Sequence, residues 1–86
     1  MKISYAKVYI EWLNKPTGFY ITINGEQLTT YSMIHYLNMI YEDFIQIMKI
    51  CNARYIDYGD DEYQDFLFDK KEDIEQAITM LKMLEG

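Results

Sequence analysis

Ser32-Met33-Ile34-His35-Tyr36-Leu37-Asn38-Met39-Ile40-Tyr41-Glu42-Asp43-Phe44-Ile45-Gln46-Ile47-Met48-Lys49-Ile50-Cys51-Asn52 is the stretch that decides the fold, because no Gly or Pro interrupts it. Wound at about 100° per residue, it gathers His35, Asn38, Glu42, Gln46 and Lys49 into one narrow polar stripe. Met33, Leu37, Ile40, Phe44, Ile47 and Cys51 form an apolar stripe that should face a sheet. Ile34, Tyr41, Ile45 and Met48 flank it on one side, and Tyr36, Met39 and Ile50 on the other. The pattern predicts one long helix, capped by Ser32 and running to about Asn52. Its apolar surface is wider than one sheet covers, so the excess goes to a second helix or to another chain.

Upstream, Ser4 to Leu13 alternates, with Ala6, Val8, Ile10 and Trp12 on one side and Tyr5, Lys7, Tyr9 and Glu11 on the other, a half-buried strand with its tyrosines outward. Asn14-Lys15-Pro16-Thr17-Gly18 reads as a turn, and Phe19 to Ile23 alternates again, with Tyr20 outward, closing an antiparallel hairpin. Asn24-Gly25 signals a tight turn, and Glu26 to Thr30 a connector or short edge strand. Downstream, Ala53 to Tyr58 and Tyr63 to Phe68 predict a second hairpin around Gly59-Asp60-Asp61-Glu62. A closing helix opens at Asp69, with Glu72 completing a capping box and Ile74, Ala77, Ile78, Leu81 and Leu84 as its apolar stripe. The expected fold is α+β, a two-layer sandwich of order β-β-α-β-β-α. Two helices pack on one face of an antiparallel sheet made of two hairpins.

The 86 residues, half of them apolar or aromatic, fit a single domain spanning 1–86. The opening Met1-Lys2-Ile3-Ser4 leads into alternating rather than continuous hydrophobicity, which reads as neither signal peptide nor membrane span and places the protein in the cytoplasm. Cys51 is the only cysteine, so no internal disulfide forms, and on an apolar stripe it reads as a buried small hydrophobe. The one histidine, His35, has no nucleophile at a recognisable spacing and reads as solvated surface. No catalytic residue, cofactor or metal site is expected. The acids from Asp57 to Asp65 offer oxygen ligands, but Gly59 precedes the densest of them, which fails the calcium-loop spacing. Without a basic stripe, direct nucleic-acid binding is disfavoured.

Charge is the remaining signal. Asp57 to Glu75 holds nine acids against Lys70 and Lys71, a net of −7, while the other positions hold six bases and five acids, a net of +1, giving the chain total of −6. Helix capping accounts for Asp69, Glu72 and Asp73. It leaves Asp57, Asp60, Asp61, Glu62 and Asp65, whose mutual repulsion costs stability unless something compensates. Carboxylates spaced like phosphates are accepted by the Lys and Arg of a nucleic-acid-binding protein, and Tyr55, Tyr58 and Tyr63 add interface-type rings.

The run Asp57-Tyr58-Gly59-Asp60-Asp61-Glu62-Tyr63-Gln64-Asp65 on an α+β scaffold resembles small acidic phage or mobile-element inhibitors of host defence, of which anti-CRISPR proteins are the best-known class. The resemblance implies a stoichiometric, non-enzymatic inhibitor that occupies the DNA site of a basic nucleic-acid-binding protein such as a Cas effector. Its contact residues would be Asp57, Tyr58, Asp60, Asp61, Glu62, Tyr63, Asp65, Asp69, Glu72 and Asp73. The alternative is a homodimer or other self-associating scaffold module built on the surplus apolar surface around Tyr36, Met39 and Ile50.

Overall fold

The computed structural model describes residues 2–8, 18–57 and 64–84, with 56, 57, 64 and 65 described through the backbone alone. Seven elements follow in order: β1 (Ile3–Lys7), β2 (Phe19–Ile23), α1 (Thr30–Leu37), α2 (Tyr41–Ile50), β3 (Arg54–Asp57), β4 (Gln64–Leu67) and α3 (Lys71–Leu84). The class is α+β, as the sequence pattern predicts, with an extra helix because the long helical stretch is broken in two.

β1 and β2 pair antiparallel from Ile3 opposite Ile23 to Lys7 opposite Phe19. Residues directly opposite share a face of the sheet, so the core-facing set is Ile3 and Tyr5 with Phe19, Ile21 and Ile23. Tyr5 therefore points inward, against the sequence expectation. Its ring meets Phe19 edge-on at 5.8 Å and 84°, and its hydroxyl donates to Glu75 Oε1 at 3.1 Å. Tyr20, opposite Ala6, keeps the other face and is half-buried. The outer part of the expected first strand, with Tyr9, Ile10 and Trp12, lies outside the described residues. Asn24 and Gly25 do form the tight turn, both left-handed at φ 53° and 83°. Ile23 and Glu26 close it with reciprocal backbone bonds of 2.9 and 3.1 Å.

β3 and β4 pair from Arg54 opposite Leu67 to Asp57 opposite Gln64. One reciprocal pair joins the two hairpins: Phe19 N–H donates to Phe68 O at 2.8 Å, and Phe68 N–H to Phe19 O at 2.9 Å. The strands thus form two two-stranded sheets, β1-β2 and β3-β4, linked by this single bridge, where the sequence pattern predicts one sheet of two hairpins. Gly18 permits this approach, because a Cβ there would lie 3.0 Å from Phe68 O and 3.4 Å from Leu67 Cβ.

The helical stretch departs most from expectation. It starts at Thr30, not Ser32, because Thr29 is the N-cap: its Oγ1 accepts the Ser32 N–H at 3.2 Å. It stops at Leu37, where Asn38 turns left-handed at φ 54°. Asn38 N–H donates to His35 O at 3.3 Å and Met39 N–H to Ile34 O at 3.1 Å, the paired bonds of a Schellman terminus. α2 then begins after Ile40, whose side chain caps nothing. It ends in the same way, with Asn52 left-handed at φ 62°, Asn52 N–H on Lys49 O at 3.2 Å and Ala53 N–H on Met48 O at 2.9 Å.

One core unites both hairpins and all three helices. Met33 and Leu37 come from α1, and Phe44, Ile47, Met48 and Cys51 from α2 and its C-cap. Ile74, Ala77, Ile78 and Leu81 come from α3; Leu84, the last of its expected stripe, is exposed. Phe66 packs between Phe44, edge-on at 6.0 Å, and Tyr55 at 5.4 Å. Of the stripe expected to face the sheet, only Ile40 escapes, at 62% exposure. α3 begins at Lys71, and Lys70 O accepts its first intrahelical bond from Ile74 N–H. Asp69 sits one position too early to cap it, so the expected capping box does not form.

Candidate partner-binding surface

The acidic residues follow from the second hairpin and the helix that leaves it. The register sets Asp57 opposite Gln64 and Asp65 opposite Ile56, so the backbones of these two acids reach the same end of the ladder. Tyr58, Asp60, Asp61, Glu62 and Tyr63 lie in the connecting residues 58–63, outside the described residues, as do the side chains of Asp57 and Asp65.

Past β4 the acids divide by their partners. Asp69 Oδ1 lies 2.8 Å from Arg54 Nη2, both side chains about half exposed. Arg54 opens β3 opposite Leu67, and that register carries the guanidinium to the residue two places beyond Leu67. The acidic segment therefore holds a cation that its own sequence does not contain. Glu75 accepts from the Tyr5 hydroxyl at 3.1 Å and lies 3.9 Å from Lys71 Nζ. Each such exposed ion pair contributes about 0–1 kcal/mol, so they blunt the field more than they stabilise the fold. Glu72 is exposed in the first turn of α3, where the helix dipole favours a carboxylate. Asp73 is half-buried beside it, and its charge reaches the Cys51 thiol. Among the described residues, neither the Glu72 nor the Asp73 side chain has an ion pair or hydrogen bond.

Cys51 is fully buried, with Sγ 3.8 Å from Met80 Sδ. Burial first, and the Asp73 charge second, push its pKa above the ordinary thiol value. That is the opposite of what a nucleophilic thiol needs. Among the described residues no three His, Cys, Asp or Glu side chains are grouped to hold a metal ion.

The expected self-association residues are not brought together on one helix. Tyr36 on α1 and Ile50 at the end of α2 are each 54% exposed, whereas Met39 lies between the helices and packs against the core. A feature the sequence did not disclose lies at the same break. Tyr31 and Tyr41 stack at 6.2 Å and 19°, beside an open cleft of about 320 Å³ lined by Tyr31, Ile34, His35, Asn38 and Met39. Ten positions apart, these rings would be about 15 Å apart along a straight helix, so only the break lets them meet.

No helix among the described residues is long and apolar enough to cross a membrane. No protein-family model, curated protein or solved structure matches the chain.

Proposed function

We propose that this protein is a non-enzymatic inhibitor acting in the cytoplasm, which binds a basic nucleic-acid-binding protein, such as a CRISPR–Cas effector, through its acidic segment. The observation that carries this reading is the concentration of a net −7 on Asp57–Glu75 in a chain whose other residues sum to +1. Glu72, exposed on α3, would meet a partner's Lys or Arg, and the reading assigns the same role to Asp60, Asp61 and Glu62 from the sequence. Asp69 would exchange Arg54 for a cation of the partner. Charge-assisted hydrogen bonds contribute about 1.5–3 kcal/mol each, so a few of them support tight but salt-sensitive binding.

The test is capture from a host lysate on immobilised protein, with low-salt and then high-salt washes and mass-spectrometric identification. Recovery of a nucleic-acid-binding protein released by salt is the expected result. Joint replacement of Asp60, Asp61 and Glu62 by Ala should weaken binding of that protein at least tenfold, the equivalent of about 1.4 kcal/mol, while leaving the circular dichroism unchanged. Undiminished affinity in the triple variant refutes the reading.

The exposed apolar residues Tyr36, Ile40 and Ile50 favour a second reading, self-association through the helical layer. Dimerisation insensitive to salt is its mark. Ile50→Glu is a cleaner probe than a change at Met39, which would disturb the core.

A further inference from the structure

α1 and α2 behave as two pieces of one helix. Placed on a single wheel with Tyr36 at zero, the buried residues Thr30, Met33 and Leu37 of α1 and Phe44, Ile47, Met48 and Cys51 of α2 and its cap all fall between about 20° and about 120°. Two helices separated by a turn have no reason to keep a common phase. Ile40 falls at about 40° on the same wheel, inside the buried arc, yet at the N-cap position of α2, where its side chain makes no capping bond, it is 62% exposed. Tyr36, also exposed, lies about 20° outside that arc, and Ile50, at about 320°, lies farther round. The sequence thus specifies a continuous stripe that the folded chain interrupts at one left-handed residue, Asn38.

We propose that the residue 38–40 hinge straightens to give one helix from Thr30 to Ile50, about 31 Å long, and that two copies of the chain then exchange halves. The proposal rests on the self-association reading and gives it a mechanism. Straightening carries β1, β2 and α1 away from α2, β3, β4 and α3 of the same chain. The surfaces parted are those that pair Phe19 with Phe68 and Tyr5 with Glu75. A second copy is the one partner that presents the same surfaces, so the occupant is this chain itself. Exchange gives up the Tyr31–Tyr41 stack and the Asn38 terminus. In return it removes an uncapped helix start and puts Ile40 into an apolar seam between two antiparallel helices. Asp43, at about 340°, borders that seam.

The test is refolding from denaturant at about 1 mM protein, followed by size exclusion with light scattering. Wild type is expected to yield a dimer fraction. Asn38→Ala removes the residue that tolerates the left-handed conformation, a change of about tenfold per chain and so about a hundredfold in the dimerisation constant. Ile40→Asp supplies the missing cap, fixes the break and should reduce the dimer to below a tenth of the wild-type fraction. In dimers refolded from equal amounts of isotope-labelled and unlabelled chain, filtered nuclear Overhauser effects between the Tyr5 ring and the Glu75 side chain, which meet through the Tyr5 hydroxyl at 3.1 Å, should appear between chains. Equal dimer fractions in all three proteins overturn the proposal. Dimers without that interchain contact also overturn it while preserving ordinary side-by-side association. If Asn38→Ala does not fold, the comparison of Ile40→Asp with wild type decides alone.

Discussion

Gly18→Ala tests how the two hairpins are joined. The added methyl would meet Phe68 O at 3.0 Å and Leu67 Cβ at 3.4 Å, and a backbone oxygen has no rotamer by which to move aside. That same oxygen accepts the Phe19 N–H at 2.8 Å, so relief must come from lengthening the bond that joins the hairpins. Overpacking of this kind costs about 1–3 kcal/mol, and weakening the bond adds about 0.5–1.5 kcal/mol. Against these, replacing glycine restricts the unfolded chain and returns about 0.4–1 kcal/mol. The net is a destabilisation of about 0.5–4 kcal/mol, centred near about 2 kcal/mol, out of a total of about 4–13 kcal/mol for a chain this long. Urea unfolding followed by far-ultraviolet circular dichroism should register it as a midpoint lower by about 1 M with an unchanged slope. The Phe19 amide should lose hydrogen-exchange protection. Gly25→Ala is the control: its φ of 83° penalises a side chain, but nothing lies within 4 Å of the new methyl. It should destabilise without exposing the Phe19 amide. A Gly18→Ala protein as stable as wild type, with Phe19 protected, would refute the reasoning.

Leu81→Ala, at a fully buried site on α3, should cost about 2–5 kcal/mol in the same urea assay; a loss under 1 kcal/mol would mean that the site collapses around the gap. Replacing Arg54 by Met removes an exposed pair with Asp69, so stability should fall by about 0–1 kcal/mol at low salt and by nothing measurable in 0.5 M salt (about 4 Å Debye length). A larger or salt-independent loss would contradict a surface pair. The Cys51 thiol, pushed up in the folded state by burial and by Asp73, is neutral there when the unfolded thiol begins to ionise near pH 8.5 (about its free value). Its contribution is full below that pH and is lost as pH rises towards the folded pKa. Cys51→Val should therefore flatten the alkaline fall in stability, and identical alkaline slopes in the two proteins would count against it.

Both hairpins and the final helix were legible because alternation and the Asn24-Gly25 pair are local signals. The helical stretch divides the lesson between two asparagines. Asn52 reads as a terminus because a strand pattern follows it. Asn38 forms the same terminus, with the same pair of backbone bonds, yet apolar residues in helical phase flank it on both sides and hide it. Ile34 and Met39, at the positions that accompany a Schellman turn, were the available clue. Alternation in the first strand defines two faces but not which is buried, and Tyr5 is inside because Ile21 opposes it. The Arg54–Asp69 pair was invisible for a similar reason: it joins residues that only the hairpin register makes neighbours. The acidic run itself was legible from charge alone, and its surface role rests on the partner experiment.

The Phe19–Phe68 junction also sets an order of events for the folding chain. Each two-stranded ribbon closes between nearby residues, but a lone ribbon is marginal in water. The bonds that fuse them join residues 49 positions apart, and the Tyr5–Glu75 contact spans 70 positions. Non-local closure of this kind is the slow step. Until it occurs, each half exposes an apolar surface that any neighbouring copy matches as well as its own other half does. If copies exchange halves as proposed, chain concentration during that interval, more than the stability of the finished fold, decides which half each one finds.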